Sequence, residues 1–119
     1  MVIQKFEDII AWQKAQDLGV EVYRIFGKMK DYGFGDQICR ASVSVSNNIA
    51  EGFDRKTDKD FVWFLYVALA SCSEVKSMLY LAGRLKYIKD QDRDNLVKQS
   101  SEISKIIRGL IKSLKQPTD

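Results

Sequence analysis

The chain has 119 residues, 45% of them apolar and 29% charged, with one proline and no histidine. These proportions fit one folded, regular domain and exclude collagen-like, low-complexity and disulfide-scaffold chains. Lack of histidine excludes histidine general bases, Ser-His-Asp and Cys-His nucleophile pairs, and nearly every zinc or iron site. The net charge of +3 is uneven: residues 84 to 119 carry nine basic and five acidic residues, a net of +4, and residues 1 to 83 a net of −1.

Four helices are predicted, over about residues 7–29, 36–52, 58–88 and 91–114. In the first, Ile9, Trp12, Leu18, Val22, Ile25, Phe26 and Met29 recur at helical spacing, and Glu7 and Asp8 sit where the helix dipole favours acids. Asp31-Tyr32-Gly33-Phe34-Gly35 then reads as a break, its two glycines allowing reversal. The second stretch is ambiguous locally, because Ser42-Val43-Ser44-Val45-Ser46 alternates like a strand. Over a longer window Ile38, Ala41, Ser42, Val45, Ile49 and Gly52 form one small or apolar face at steps of three and four, which only a helix explains.

Gly52 and the charged residues after it are expected to end that helix, and Thr57-Asp58-Lys59-Asp60 opens the third as a capping-box variant. Its seam, Phe61, Leu65, Ala68, Cys72, Val75, Leu79 and Ala82, alternates steps of four and three as in helices packed at shallow angles. Val67, Ala70, Met78, Leu81, Leu85 and Ile88 make a second stripe, with Trp63, Phe64, Tyr66 and Tyr80 beside it. The longest apolar run, Phe61 to Ala70, is too short for the roughly 18 residues of a membrane span. Asp90 is the expected N-cap of the fourth helix, which runs to Leu114 before Pro117. Its apolar face is Leu96, Ile103, Ile106, Ile107, Leu110, Ile111 and Leu114. The whole is expected to be all-α: an antiparallel up-down-up-down four-helix bundle.

Cys39 and Cys72 lack CxxC spacing, and acids among the first residues argue against a signal peptide, so both read as free, buried thiols in a cytoplasmic protein. On the second helix Gln37, Arg40, Ser44, Asn48 and Glu51 share a polar strip. Glu74 falls within the second apolar stripe, where a carboxylate needs a partner, and Arg40 is the candidate. This set reads as a structural polar network, with a ligand site as the competing reading. Ser44 has no base beside it in sequence. Lys98, Lys105, Arg108, Lys112 and Lys115 cluster opposite the apolar face of the fourth helix. They read as a solvated face, or as a surface for sequence-independent contact with RNA or DNA. Trp63, Phe64, Tyr66 and Tyr80 are expected in the core or a subunit interface, ahead of a role in stacking bases. No catalytic residue, cofactor, metal or membrane partner is expected.

Phe6-Glu7-Asp8, Trp12-Gln13-Lys14-Ala15, Tyr32-Gly33, Gln37 with Arg40-Ala41, Asn48-Ile49-Ala50-Glu51-Gly52 and a later Ala-x-x-Ser-x-x-Glu together resemble the bacterial four helix bundle proteins encoded in 23S ribosomal RNA intervening sequences. The resemblance spans Phe6 to about Ile88. The chain departs from the family pattern at Phe26-Gly27-Lys28-Met29-Lys30, where Phe-Pro and glutamates are usual, at Ser42 in place of alanine and at Ala70 in place of glycine. The resemblance implies an antiparallel four-helix subunit that assembles as a ring-like homopentamer; the expectation of no enzymatic activity rests on the missing histidine and catalytic motifs. The resemblance also implies kinship with the accessory variability protein of diversity-generating retroelements, a pentameric barrel that contacts nucleic acid.

Overall fold

The computed structural model describes residues 3–116. They form a short 3-10 turn, Phe6–Asp8, and four helices with no strand: α1 Ile10–Phe26, α2 Tyr32–Phe53, α3 Asp58–Arg84 and α4 Asp90–Lys115. α1 and α3 each pack against both α2 and α4, so α1 and α3 face each other diagonally across one core. The molecule is a rod of 52 × 20 × 19 Å.

The strand-like alternation in α2 is helical. Ile38, Ala41, Ser42, Val45, Ile49 and Gly52 are all buried, as the longer window predicts. The serines are tolerated there because the helix satisfies them. Ser42 Oγ donates to the Cys39 carbonyl at 2.8 Å and Ser46 Oγ to that of Val43 at 3.3 Å. A hydroxyl bonded to its own backbone adds little polar cost to a buried small side chain. Ser100 does the same in α4, donating to the Leu96 carbonyl at 2.9 Å.

Helix boundaries agree with expectation to within one residue at the α2–α3 connection and at both ends of α4, and differ at the ends of α1, the start of α2 and the end of α3. α1 runs from Ile10 to Phe26, shorter at both ends than 7–29. The Asp31–Gly35 segment is not a break, because Asp31 caps α2: its carboxylate accepts the Phe34 N–H at 3.2 Å and the helix starts at Tyr32. Gly35 serves close approach, since a Cβ there would stand 2.6 Å from the Phe26 carbonyl oxygen. Gly52 has the same role beside the end of α2, which falls at Phe53 as expected to within one residue; a Cβ would lie 2.6 Å from Phe64 Cβ on α3. The expected cap at Thr57 is present, its Oγ1 accepting the Asp60 N–H at 3.1 Å.

All seven seam residues of α3 are buried. α3 stops at Arg84 and not at Ile88, because Lys86 takes a left-handed φ of 61°. The Tyr87 N–H then returns to the Ala82 carbonyl at 2.9 Å and the Lys86 N–H to that of Gly83 at 3.2 Å, the paired reversed bonds that close a helix. The N-cap of α4 is Lys89, which makes no side-chain cap bond, and not Asp90; the Asp90 carboxylate meets Arg93 Nη1 at 3.3 Å. Leu96, Ile103, Ile107 and Ile111 are buried and Ile106, Leu110 and Leu114 half-buried. Pro117 lies outside the described residues. The turn before α4 also touches the turn before α2: Tyr87 Oη donates to Asp31 Oδ2 at 2.7 Å, and its ring meets Phe34 edge-on at 5.3 Å.

Candidate functional site

Four grooves run between neighbouring helices, and their chemistry differs. Between α2 and α3, Ser44 Oγ and Ser71 Oγ are 2.9 Å apart. Asn48 Nδ2 donates to both the Ser44 carbonyl and its hydroxyl, at 2.8 and 2.9 Å. Further along, Gln37 Nε2 donates to Glu74 Oε2 at 3.1 Å. The structure therefore places these residues in two separate sets, Gln37 with Glu74 and Ser44 with Asn48, and adds to the second Ser71, the serine of the Ala-x-x-Ser-x-x-Glu pattern.

The pairing of Glu74 with Arg40 is corrected. Glu74 is exposed and bonds to Gln37, while Arg40 turns back along its own helix to Asp36 at 2.9 Å. Helical register explains it: Glu74 lies on the rim facing α2 and solvent, where no buried cation is needed. Glu51 is exposed and stands outside the network, near Tyr23, Arg40 and Val43. The hydrogen-bond partners of Ser44 are Ser71 and Asn48, neither of which can take up its proton. Burial raises the thiols of both Cys39 and Cys72, and the charge of Asp36 adds to the effect at Cys39, so neither is poised as a thiolate.

The second stripe of α3 is also corrected. Ile88 is buried, but Ala70, Leu81 and Leu85 are exposed and Val67 and Met78 half-buried. Trp63, Tyr66 and Tyr80 are not core residues, being 62%, 48% and 51% exposed. Phe64 alone of that group is half-buried, with Trp63 edge-on at 5.0 Å and the Arg55 guanidinium 4.9 Å from its ring centre. These residues lie outside because the seam already fills the space facing the other helices. The resulting outward crest has Trp63 and Leu81 at its centre. By length and composition α3 is long and apolar enough to cross a membrane, and eight of its residues are buried against the rest of the protein.

Between α3 and α4 a groove of about 520 Å³ is lined by Tyr66, Leu69, Arg108, Ile111, Lys112 and Lys115. From Ile103 to Gln116 the sequence has four basic residues, Lys105, Arg108, Lys112 and Lys115, and no acid. All four are exposed, as is Lys98 one turn or more before them, and none of the five forms an ion pair among the described residues. Lys115 Nζ sits 5.9 Å from the centre of the Tyr66 ring. By contrast the α1/α4 groove is polar and charge-balanced, with Lys14 and Glu102 bridging it at 2.9 Å beside Asp17, Glu21 and Arg24. The α1/α2 surface carries the exposed apolar residues Val20, Tyr23 and Val43.

Fold and surface together define a small all-α protein with one apolar outward helix face and one basic groove. A family model described as 23S rRNA-intervening sequence protein matches residues 7–109, and the chain belongs to that family. It is also similar in structure to a crystal structure described as a protein with unknown function from the S23 ribosomal protein family of Bacteroides thetaiotaomicron. The two are 26% identical with a TM-score of 0.81, over 87% of this chain and 99% of the other. No curated protein matches the sequence.

Proposed function

We propose that this protein is a non-enzymatic cytoplasmic interaction module that works as a homo-oligomer of up-down-up-down bundles. The observation that carries this reading is the outward crest of α3. Between Asp60 and Arg84 this helix has only Glu74 and Lys76 as charges, yet Trp63, Leu81 and Leu85 are 62%, 46% and 47% exposed. Large apolar side chains exposed towards both ends of one helix face are stabilised in water when another protein surface covers them.

The hydrogen bond between Tyr87 and Asp31 supports the topology, because it brings the α1–α2 and α3–α4 connections to one end of the rod. The α1/α2 patch of Val20, Tyr23 and Val43 differs from the α3 crest, and contact between two different patches builds rings. Five subunits is the number the family resemblance implies. In sedimentation or light scattering the protein should run as a multiple of 13.7 kDa at micromolar concentration, and Trp63→Glu should shift it toward the monomer. A monomeric wild-type protein overturns the reading.

A second reading is favoured by the acid-free basic segment of α4. A surface of Lys98, Lys105, Arg108, Lys112 and Lys115, repeated around an oligomer, suits phosphate backbones without reading sequence. Kinship with retroelement accessory proteins belongs to this reading. Binding of RNA or DNA should be visible near 50 mM salt and mostly lost near 200 mM. Reversing Lys105, Arg108 and Lys112 to glutamate should abolish it, and failure to bind at low salt removes the reading.

A further inference from the structure

We propose that the α3/α4 groove seats single-stranded nucleic acid, with a base stacked on Tyr66 and the neighbouring phosphates held by Arg108, Lys112 and Lys115. This rests on the nucleic-acid reading above and names its substrate class. Three observations meet in one place. The groove has an apolar floor of Leu69 and Ile111, an exposed aromatic ring on one wall and three cations on the other. No acid lines it, whereas acids line the α1/α4 groove and the polar groups of the α2/α3 groove are bonded to one another. The cations are also separated by four and three residues, so their side chains leave α4 in steps of about 5–6 Å along one edge.

Each component suits a part of a single strand. Tyr66 offers a flat face over which Lys115 Nζ stands 5.9 Å from the ring centre, and a lysine can swing aside onto a phosphate. A base gains from stacking on such a ring whatever its identity, while the cations track the backbone. A duplex buries both faces of its bases in its own stack and must be opened before one can reach Tyr66. It can therefore touch the lysines but not use the groove. Helical register turns Tyr66 about 60° away from Trp63, toward α4, which separates the groove from the crest that the oligomer reading assigns to subunit contact.

The test compares end-labelled oligo-dT and oligo-rU of about 20 nucleotides with a duplex of equal length, by fluorescence anisotropy near 50 mM salt. Single strands should bind at least about tenfold more tightly than the duplex. Tyr66→Leu should weaken single-strand binding by about 5- to 150-fold and leave duplex binding unchanged, while Tyr66→Phe retains both. An unchanged thermal midpoint and sedimentation coefficient for Tyr66→Leu ensures that the loss is local. If single strand and duplex bind equally and Tyr66→Leu changes neither, the groove proposal is overturned and the backbone-contact reading stands. If neither nucleic acid binds the wild-type protein, both fail together.

Discussion

The two long faces of α3 are built from similar residues and meet opposite surroundings. The inner face, from Phe61 through Leu65, Cys72 and Leu79 to Ala82, is wholly buried between α2 and α4. The outer face offers Trp63 and Leu81 to solvent, with Leu85 just past the helix end. Periodicity marks the first face because seven positions must stay in register with two neighbouring helices. Nothing inside the subunit constrains the second, so its residues show apolar character without a strict seam. Apolar content thus reports that a face is to be covered, and regular spacing reports that the cover lies within the same chain.

The sharpest way to break this comparison is to truncate one leucine on each face. Leu79 is fully buried, and Leu79→Ala should lower the unfolding free energy by about 3 kcal/mol through lost transfer energy and a residual cavity. Leu81→Ala, two residues away and 46% exposed, should leave the subunit within about 0.5 kcal/mol of wild type and act on assembly instead. Chemical denaturation of each variant under conditions that hold the oligomer state fixed separates the two effects. Equal losses from both leucines would mean that the outer face is part of the folding core.

Much of the fold was legible because packing demands repeat. The buried set of α2 and the seam of α3 follow from spacing alone, and the Thr57 cap follows from a local motif. What was illegible depends on partners distant in sequence. Gly35 and Gly52 read as punctuation, but each marks a place where Phe26 or Phe64 comes too close for a Cβ. Glu74 read as a carboxylate in an apolar stripe needing an arginine. Only the register of α2 against α3 shows that Gln37 reaches it and that Arg40 is already held by Asp36. The aromatic set was assigned to core or interface together, and the structure divides it between half-buried Phe64 and the exposed Trp63, Tyr66 and Tyr80.

The corrected position of Glu74 gives a smaller and opposite-tending expectation than a buried ion pair would. An exposed carboxylate bonded to a neutral amide leaves no charge stranded when it is removed, so Glu74→Ala should change stability by less than about 0.5 kcal/mol. A Tm drop of many degrees would restore the buried pair and place an unseen cation beside it. The same variant removes the one acid that stands between Trp63 and Leu81 along the crest of α3, and so should strengthen self-association if that crest is the subunit contact. Sedimentation at falling protein concentration measures this directly.

The smallest effect concerns the clip between the two turns, which tests whether one end of the rod is held together by more than the helices. The hydrogen bond from Tyr87, joined by the Phe34 N–H, holds the Asp31 carboxyl below its ordinary value, and the same contact raises the Tyr87 phenol. A carboxyl lowered on folding stabilises the fold above its unfolded pKa of about 3.9, and that contribution is lost as pH falls through the folded value. A phenol raised on folding contributes below its unfolded pKa of about 10, and its share is lost as pH rises through the folded value. The clip therefore works across the broad middle range and fails at both ends. Tyr87→Phe keeps the ring against Phe34 and removes only the hydroxyl, so its Tm should lie below wild type between about pH 5 and 9 and converge on it under stronger acid or base. Because both groups are exposed, the gap should be small, and thermal melts across a pH series measured at one salt concentration would detect it. No gap at any pH would assign the stabilisation to the packing of Tyr87 on Phe34, which the variant keeps, and not to its bond with Asp31.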